Sequence, residues 1–178
     1  GVIDRVAIDP QTLRFDIHAI DDLPPRGICG SGVIDLAAQL FTAGMIDIRG
    51  QFRPAVCGRR LFQRDGLAHL TVVPAEAAAN GQPLCVSQAD MDSLIRSKAA
   101  MYTILETITA SVGVPLESLP AFWVAGTFGQ FIDPRSAITI GMLPDLPLSR
   151  FTAWGNTSLD GATLALVSRP AVAEIDTI

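Results

Sequence analysis

The sequence has few residues of the kinds that bind metals or carry out nucleophilic chemistry. Its three cysteines, Cys29, Cys57 and Cys85, are far apart and form no Cys-x-x-Cys pair, which excludes the usual zinc and iron–sulfur patterns. Their odd number also argues against a disulfide framework and favours a reducing cytoplasm. The two histidines, His18 and His69, have no serine or cysteine nucleophile in a recognisable setting, so no hydrolase triad is predicted.

Positive charge and long apolar runs are also scarce. Lys98 is the single lysine among 13 cationic residues, and the net charge of −5 gives no basic surface for nucleic acid or anionic membranes. No signal peptide or membrane-spanning run is visible. Hydrophobic residues make up 49% of the chain and charged residues 17%, which is apolar for a free-standing domain. Because it also starts at Gly1 without a methionine, we expect a piece of a longer protein whose surface faces other segments.

Two strands and a helix are predicted in the N-terminal part. Residues 2–8 are mostly apolar and residues 13–20 alternate between apolar and polar side chains, with the turn-forming Asp9-Pro10 between them. A loop over 21–27 leads into Gly30-Ser31-Gly32. Apolar side chains at helical spacing then predict a helix over 32–43, capped by Ser31 and ended by Gly44.

The middle of the chain contains an irregular stretch followed by a long helix. Residues 45–86 are predicted as a loop-rich insert with short strands at 45–48, 66–73 and 83–86. A helix from Gln88 to about residue 112 is indicated by the capping-box pattern of Ser87 and Asp90 and by Gly113 at its end. Lys98 falls on the apolar stripe of this helix.

Two glycine turns follow short apolar strands in the C-terminal part. Strand 121–125 leads into Gly126-Thr127-Phe128-Gly129, and strand 151–154 leads into Gly155-Asn156. Helices are predicted after both turns, the first capped by Asp133 and ended by Gly141, the second over about 158–168. This alternation is typical of an α/β fold with mainly parallel strands, in which ligands bind beyond the carboxyl ends of the strands.

The glycine-rich segments allow two interpretations each. Gly126, Thr127 and Gly129 either let the backbone approach a nucleotide closely or only form a tight strand-to-helix turn. Gly30-Ser31-Gly32 either presents N–H groups and a hydroxyl to an anion or simply begins a capped helix.

Several single residues also allow either a functional or a structural interpretation. Lys98 either reaches a phosphate or ribose at a lobe junction, extends to solvent from the edge of its stripe, or pairs with a carboxylate. Asp35, Asp133 and Asp160 are candidate catalytic carboxylates, but two of the three lie at helix starts, where the helix dipole is sufficient reason for a carboxylate. Cys29 is interpreted as a small buried apolar residue rather than a reactive thiol.

Several segments, in this order and at this spacing, resemble the C-terminal region of the reductive activators of corrinoid proteins. The segments are GVIDRV at 1–6, RGICGSGVID at 26–35, GMID at 44–47, AGTFGQFIDP at 125–134, IGMLPDLP at 140–147 and GN at 155–156. The similarity extends over nearly the whole chain and is weakest in the insert.

The resemblance implies a fold and a parent protein. The fold would be α/β, a ribonuclease H-like or actin-like ATPase lobe with a mixed sheet and packed helices, and residues 1–178 would form the second half of the ATPase domain. The phosphate-loop half and an N-terminal 2Fe-2S ferredoxin domain would lie outside this chain. In the family, the iron–sulfur cluster supplies the electron that reduces cob(II)alamin to cob(I)alamin on a corrinoid methyl-transfer protein, driven by ATP with Mg²⁺.

The resemblance also implies site residues, none of them catalytic. They would contact or line the nucleotide cleft and are Gly30, Ser31, Gly32, Lys98, Gly126, Thr127, Gly129, Gly155 and Asn156. The chain departs from the family pattern after Asn156, where Leu159 and Asp160 replace small residues. A competing hypothesis is therefore a non-catalytic module that docks the corrinoid protein or a second copy of the chain. A sugar or acetate kinase relative is a third reading, but no acceptor-activating carboxylate can be assigned.

Overall fold

A computed structural model of the chain describes residues 1–175 and 177. These residues form two compact units. The larger unit contains Gly1–Leu119 and Ile132–Leu146, and the smaller one contains Pro120–Phe131 and Pro147–Ile178. Each unit is built around its own sheets.

The first sheet of the larger unit combines antiparallel and parallel pairing. Strand β1 (Val2–Ile8) pairs antiparallel with β2 (Phe15–Ala19) and parallel with β3 (Gly27–Ile28). The predicted second strand starts too early, because Leu13 has a φ of +53° and belongs to the turn. In that turn, N–H groups of neighbouring residues donate to the Asp9 carboxylate and hold its pKa below the usual value.

Helix α1 (Gly30–Thr42) packs its apolar face against β1. It begins two residues before the predicted start. Its N-cap is Cys29 rather than the predicted Ser31, because the Cys29 Sγ accepts the N–H of Gly32 at 3.4 Å. Fully buried apolar side chains anchor this helix: Ile34, Leu36, Ala37, Ala38 and Leu40.

The insert is more regular than the sequence predicted. Strands β4 (Leu61–Arg64), β5 (Leu67–Val73) and β6 (Leu84–Ser87) form an antiparallel sheet in the order β4-β5-β6. The short helix α2 (Pro54–Cys57) precedes this sheet. No strand forms at 45–48 in the described chain; there, Ile46 makes only an isolated bridge.

Two further helices complete the larger unit. Helix α3 (Gln88–Ser111) has the predicted capping box, in which Ser87 and Asp90 bond each other's backbone N–H. Helix α4 (Pro134–Thr139) is capped by Asp133, as predicted. Met91, near the start of α3, is the only fully buried residue of that helix, and apolar side chains of its second half are exposed, namely Met101, Ile104 and Ile108.

The smaller unit contains a two-stranded parallel sheet and two helices. Strands β7 (Phe122–Val124) and β8 (Phe151–Ala153) pair in register, Phe122 opposite Phe151. Helix α5 (Thr157–Val167) follows β8, and α6 (Arg169–Ile175) follows as a helix that was not predicted. Among its described residues, none is fully buried.

Strand pairing across the chain is mixed. Parallel pairs join β1 to β3 and β7 to β8, whereas β1 with β2 and the whole insert sheet are antiparallel. The mainly parallel arrangement inferred from element order is therefore wrong, and the mixed sheet implied by the resemblance is confirmed. Over the part of the chain that the structure describes, no helix has the length and apolar character needed to span a bilayer.

Candidate functional site

The two predicted glycine turns lie side by side in the smaller unit. Because β7 and β8 are parallel neighbours, both turns leave the same edge of the sheet, at the carboxyl ends of the strands. The N–H of Gly126 donates to the carbonyl of Gly155 at 2.7 Å, and the N–H of Trp154 donates to that of Val124 at 2.9 Å. The turns are therefore one connected piece of backbone.

At Gly126, the backbone at the carboxyl ends of these strands is not covered by other atoms. Its φ is +99°, which side chains rarely adopt, and no atom lies within 4 Å of the place where a Cβ would stand. The neighbouring Thr127 is exposed. Among the described residues, the amide N–H groups of Thr127 and Phe128 have no hydrogen-bond partner. This backbone is thus available to a ligand that comes close.

Gly129 is required for a different reason. A Cβ at this position would stand 2.6 Å from Cγ1 of Val124, so glycine lets the turn fold back onto its own strand. The turn is closed by the N–H of Gln130, which donates to the carbonyl of Gly126 at 3.1 Å. The tight-turn interpretation therefore holds for Gly129, whereas Gly126 leaves room for a close approach.

The second turn shapes the start of a helix. Gly155 has a φ of +68°, and a Cβ there would stand 3.3 Å from Oε1 of Gln130. The Asn156 side chain caps α5, since its Oδ1 accepts the N–H of Leu159 at 3.1 Å. Leu159, the bulky departure from the family pattern, is 60% exposed. It does not fill the interior of the unit.

The Gly30-Ser31-Gly32 segment is engaged in contacts within the larger unit. Ser31 is buried, and its Oγ lies 3.0 Å from the Cys29 Sγ. A Cβ on Gly32 would overlap the carbonyl oxygen of Ile3, so glycine here allows α1 to approach β1. Packing accounts for Ser31 and Gly32 without any ligand.

Lys98 is half-buried on α3 and points toward the end of another helix. Its Nζ lies 3.3 Å from where a Cβ of Gly141 would stand, just after α4. The last carbonyls of a helix carry partial negative charge, which favours an ammonium nearby. Among the described residues, Lys98 has no carboxylate partner. The interpretations that remain are a contact with a phosphate or ribose and extension to solvent.

The sequence did not reveal that Asp35 joins three elements. Its Oδ2 accepts the N–H of Val6 at 2.7 Å, and its Oδ1 accepts the hydroxyl of Ser136 at 2.5 Å. Asp35 lies beyond the first turn of α1, so the helix-start explanation is wrong for it. Ser136 is 101 residues away along the chain, and no local pattern signals such a pair.

Metal ligands are sparse in the described residues. No three His, Cys, Asp or Glu side chains come together there in a way that could hold a metal ion. The three cysteines are free thiols, of which Cys57 is buried. Burial raises the pKa of the Cys57 thiol above its usual value.

Comparison with known proteins agrees with the resemblance. The family model described as the C-terminal domain of RACo, the ASKHA domain, matches residues 1–178. The corrinoid activation enzyme RamQ of Eubacterium limosum is 30% identical over 176 residues, which is 95% of this chain and 29% of that protein. A solved structure of a reductive activator for corrinoid, iron–sulfur protein matches with a TM-score of 0.93 and 38% identity, over 99% of this chain and 28% of that one.

The chain thus spans under a third of the length of these relatives. The matches nevertheless cover 95% and 99% of this chain. The chain belongs to the family of the C-terminal, actin-like ATPase (ASKHA) domain of the reductive activators of corrinoid proteins.

Proposed function

We propose that the chain forms the second half of the nucleotide-binding domain of a longer reductive activator and contributes the adenosine side of its cleft. The open backbone at Gly126, beside the Gly155 turn, carries this proposal. Gly126, Thr127 and Gly155 would face the nucleotide, while Gly129 and Asn156 shape the turns that present them. The remaining predicted site residues, Gly30, Ser31, Gly32 and Lys98, lie in the larger unit, where packing explains Ser31 and Gly32.

The proposed parent protein is an ATP-dependent reductase of corrinoid proteins. A 2Fe-2S cluster in an N-terminal ferredoxin domain would give one electron to cob(II)alamin on a corrinoid methyl-transfer protein and produce cob(I)alamin. ATP with Mg²⁺, bound between this chain and a preceding phosphate-loop half, would drive that step. The relatives named for corrinoid activation, of which this chain spans under a third, support the proposal. Free cysteines suit the reducing cytoplasm.

The test is nucleotide binding by the full-length protein, measured by calorimetry with ATP and with ADP. Gly126→Ala places one methyl group in the open space at the turn. We expect binding to weaken about tenfold or more, because a methyl group forced into a close contact costs roughly 1–3 kcal/mol. Gly113→Ala is the matched control, since Gly113 also has a positive φ and open space for a Cβ.

Both alanine variants place a side chain at a positive φ, so a loss of nucleotide affinity confined to folded Gly126→Ala protein reports the ligand. Equal nucleotide affinity in the wild type and in folded Gly126→Ala protein would contradict the assignment of this turn. Gly129→Val is not suitable for this test, because its side chain would collide with Val124 and disturb the turn itself.

A docking module is a second candidate function, favoured by the exposed aromatic side chains of the smaller unit. Trp123 and Trp154 stack with ring centroids 4.9 Å apart and remain 63% and 52% exposed. Tryptophan is enriched at the energetic centres of protein interfaces. Under this proposal, Trp123→Ala in the full-length protein abolishes binding to the corrinoid protein, or dimerisation in sedimentation experiments, and leaves ATP affinity unchanged.

A further inference from the structure

The two edges of the first sheet differ in how their backbone groups are satisfied. Along β1, the N–H groups of Val6 and Ile8 donate to the side chains of Asp35 and Gln39, one turn apart on α1, at 2.7 and 3.1 Å. Helix α1 therefore closes this edge against further strands.

The opposite edge, along β2, is open. Val6 is paired with Ile17 and Ile8 with Phe15. Because the N–H groups of Val6 and Ile8 point away from β2, these are the pairs in which the backbone groups of both strands point outward. Consistent with this, the N–H groups of Phe15 and Ile17 have no hydrogen-bond partner among the described residues.

An apolar cleft lies beside this open edge. It has a volume of about 540 Å³, and the alternate β2 side chains Phe15, Ile17 and Ala19 line it on one side. The other walls come from the end of β5 and from two proline-containing loops, 22–25 and 74–77. A peptide paired with β2 would place every second side chain over this cleft.

Opposite charges mark the two ends of the cleft. The Arg60 guanidinium lies over the Phe15 ring, 4.2 Å from its centroid, and one of its N–H groups donates to the carbonyl of Thr71 at 3.2 Å. Its other donors have no partner among the described residues. Asp22 lines the opposite end, beyond Ala19. A peptide with complementary charges at its two ends would therefore bind along β2 in one orientation.

We propose that the open edge of β2 docks an extended segment of a partner protein, which adds an antiparallel strand to the sheet. The segment has a basic residue near Asp22, an apolar residue opposite Ile17 and, nearest Arg60, an acidic residue opposite Phe15. Because the basic residue precedes the acidic one in the proposed segment, these charges are matched only in antiparallel pairing. That pairing gives straight hydrogen bonds to the outward groups of both Phe15 and Ile17.

The probe is the synthetic peptide Thr-Lys-Thr-Ile-Thr-Glu-Thr with blocked ends, added to the full-length protein. Its lysine, isoleucine and glutamate fall opposite Ala19, Ile17 and Phe15. We expect saturable NMR shifts and slower hydrogen exchange at the amides of Phe15 and Ile17. The amides of Asp16 and His18 already face β1 and should change little.

Two controls separate the backbone and charge contributions. The peptide Thr-Glu-Thr-Ile-Thr-Lys-Thr has the same composition with the charges exchanged. It loses both ion pairs in antiparallel pairing, worth roughly 1 kcal/mol together, and can regain them only with the slanted bonds of parallel pairing, so it should bind more weakly, by up to about fivefold. Ile17→Pro removes the outward N–H of an edge strand without removing a ladder bond, and should weaken binding about tenfold.

Arg60→Gln is the second variant and leaves the strand itself unchanged. It should reduce the preference between the two peptides to about twofold, because Asp22 still distinguishes them. Equal binding of both peptides to the wild type, or unchanged binding by folded Ile17→Pro protein, would overturn the proposal. So would amides of Phe15 and Ile17 that are already protected in the free protein, because another segment of the polypeptide or a second copy would then occupy the edge.

Discussion

Asp35 provides the sharpest test of how the larger unit is held together. Its carboxylate accepts one hydrogen bond from the β1 backbone at Val6 and one from Ser136 on α4, while its own backbone lies in α1. Ser136 is only 5% exposed. Replacing Asp35 by alanine leaves both donors without their partner, and the serine has no ready access to water.

The expected loss follows from these two contacts. A hydrogen bond to a charged group contributes roughly 1.5–3 kcal/mol, so Asp35→Ala should lower the free energy of unfolding by about 3–5 kcal/mol. Asp35→Asn keeps one acceptor oxygen for Val6 and offers an amide to the Ser136 hydroxyl, so we expect a loss of about 1–2 kcal/mol. Ser136→Ala removes one partner of a carboxylate that keeps its other bond and should cost about 1 kcal/mol.

The assay is urea unfolding followed by circular dichroism, with Asp16→Ala as the control. Asp16 is an exposed carboxylate in the same unit, and its removal should change stability by no more than about 0.5 kcal/mol. The double variant of Asp35 and Ser136 should show a coupling energy of about 1–2 kcal/mol. A cost for Asp35→Ala no larger than that for Asp16→Ala, or zero coupling, would refute the bracing role.

Three further outcomes are expected. Gly32→Ala should cost about 3 kcal/mol in thermal unfolding, because its Cβ meets the backbone of Ile3, whereas Gly27→Ala, with no atom within 4 Å, should be nearly neutral. Ser87→Ala should cost about 1 kcal/mol through loss of the α3 cap. Burial raises the pKa of the Cys57 thiol, so the stability it contributes is complete below the ordinary thiol pKa and declines as the pH rises through the raised value. Urea unfolding from about pH 7 to about pH 10 should show this decline in the wild type and not in Cys57→Ala protein.

Local signals predicted local structure well. The start and end of α3, the Asp133 cap and the end of α4 at Gly141 depend on residues within a few positions of each other, and all are found in the structure. The Ser31 cap was wrong although the pattern was favourable, because the neighbouring Cys29 takes that role once α1 begins earlier. Which residue serves as the N-cap depends on where the helix begins, and packing of α1 against β1 determines that start.

Strand pairing could not be derived from element order. β4 was not predicted, since its side chains are mostly exposed and show no burial pattern, and it becomes a strand through pairing with β5. Parallel pairing was expected from alternating strands and helices, but the insert forms its own antiparallel sheet. The family resemblance gave the correct mixed architecture because it carries information about distant contacts that periodicity lacks.

The candidate site shows why a glycine motif does not by itself assign a role to each glycine. Gly32 and Gly129 are explained by internal contacts, with Ile3 and Val124 respectively, and a ligand is not needed to account for either. Gly126 has a positive φ and open space, as Gly113 also has, so this combination alone does not indicate a ligand. What distinguishes Gly126 is its place at the carboxyl end of β7, beside the Gly155 turn. Nucleotide binding should therefore respond most specifically to Gly126, and variants at Gly32 or Gly129 should act first through folding.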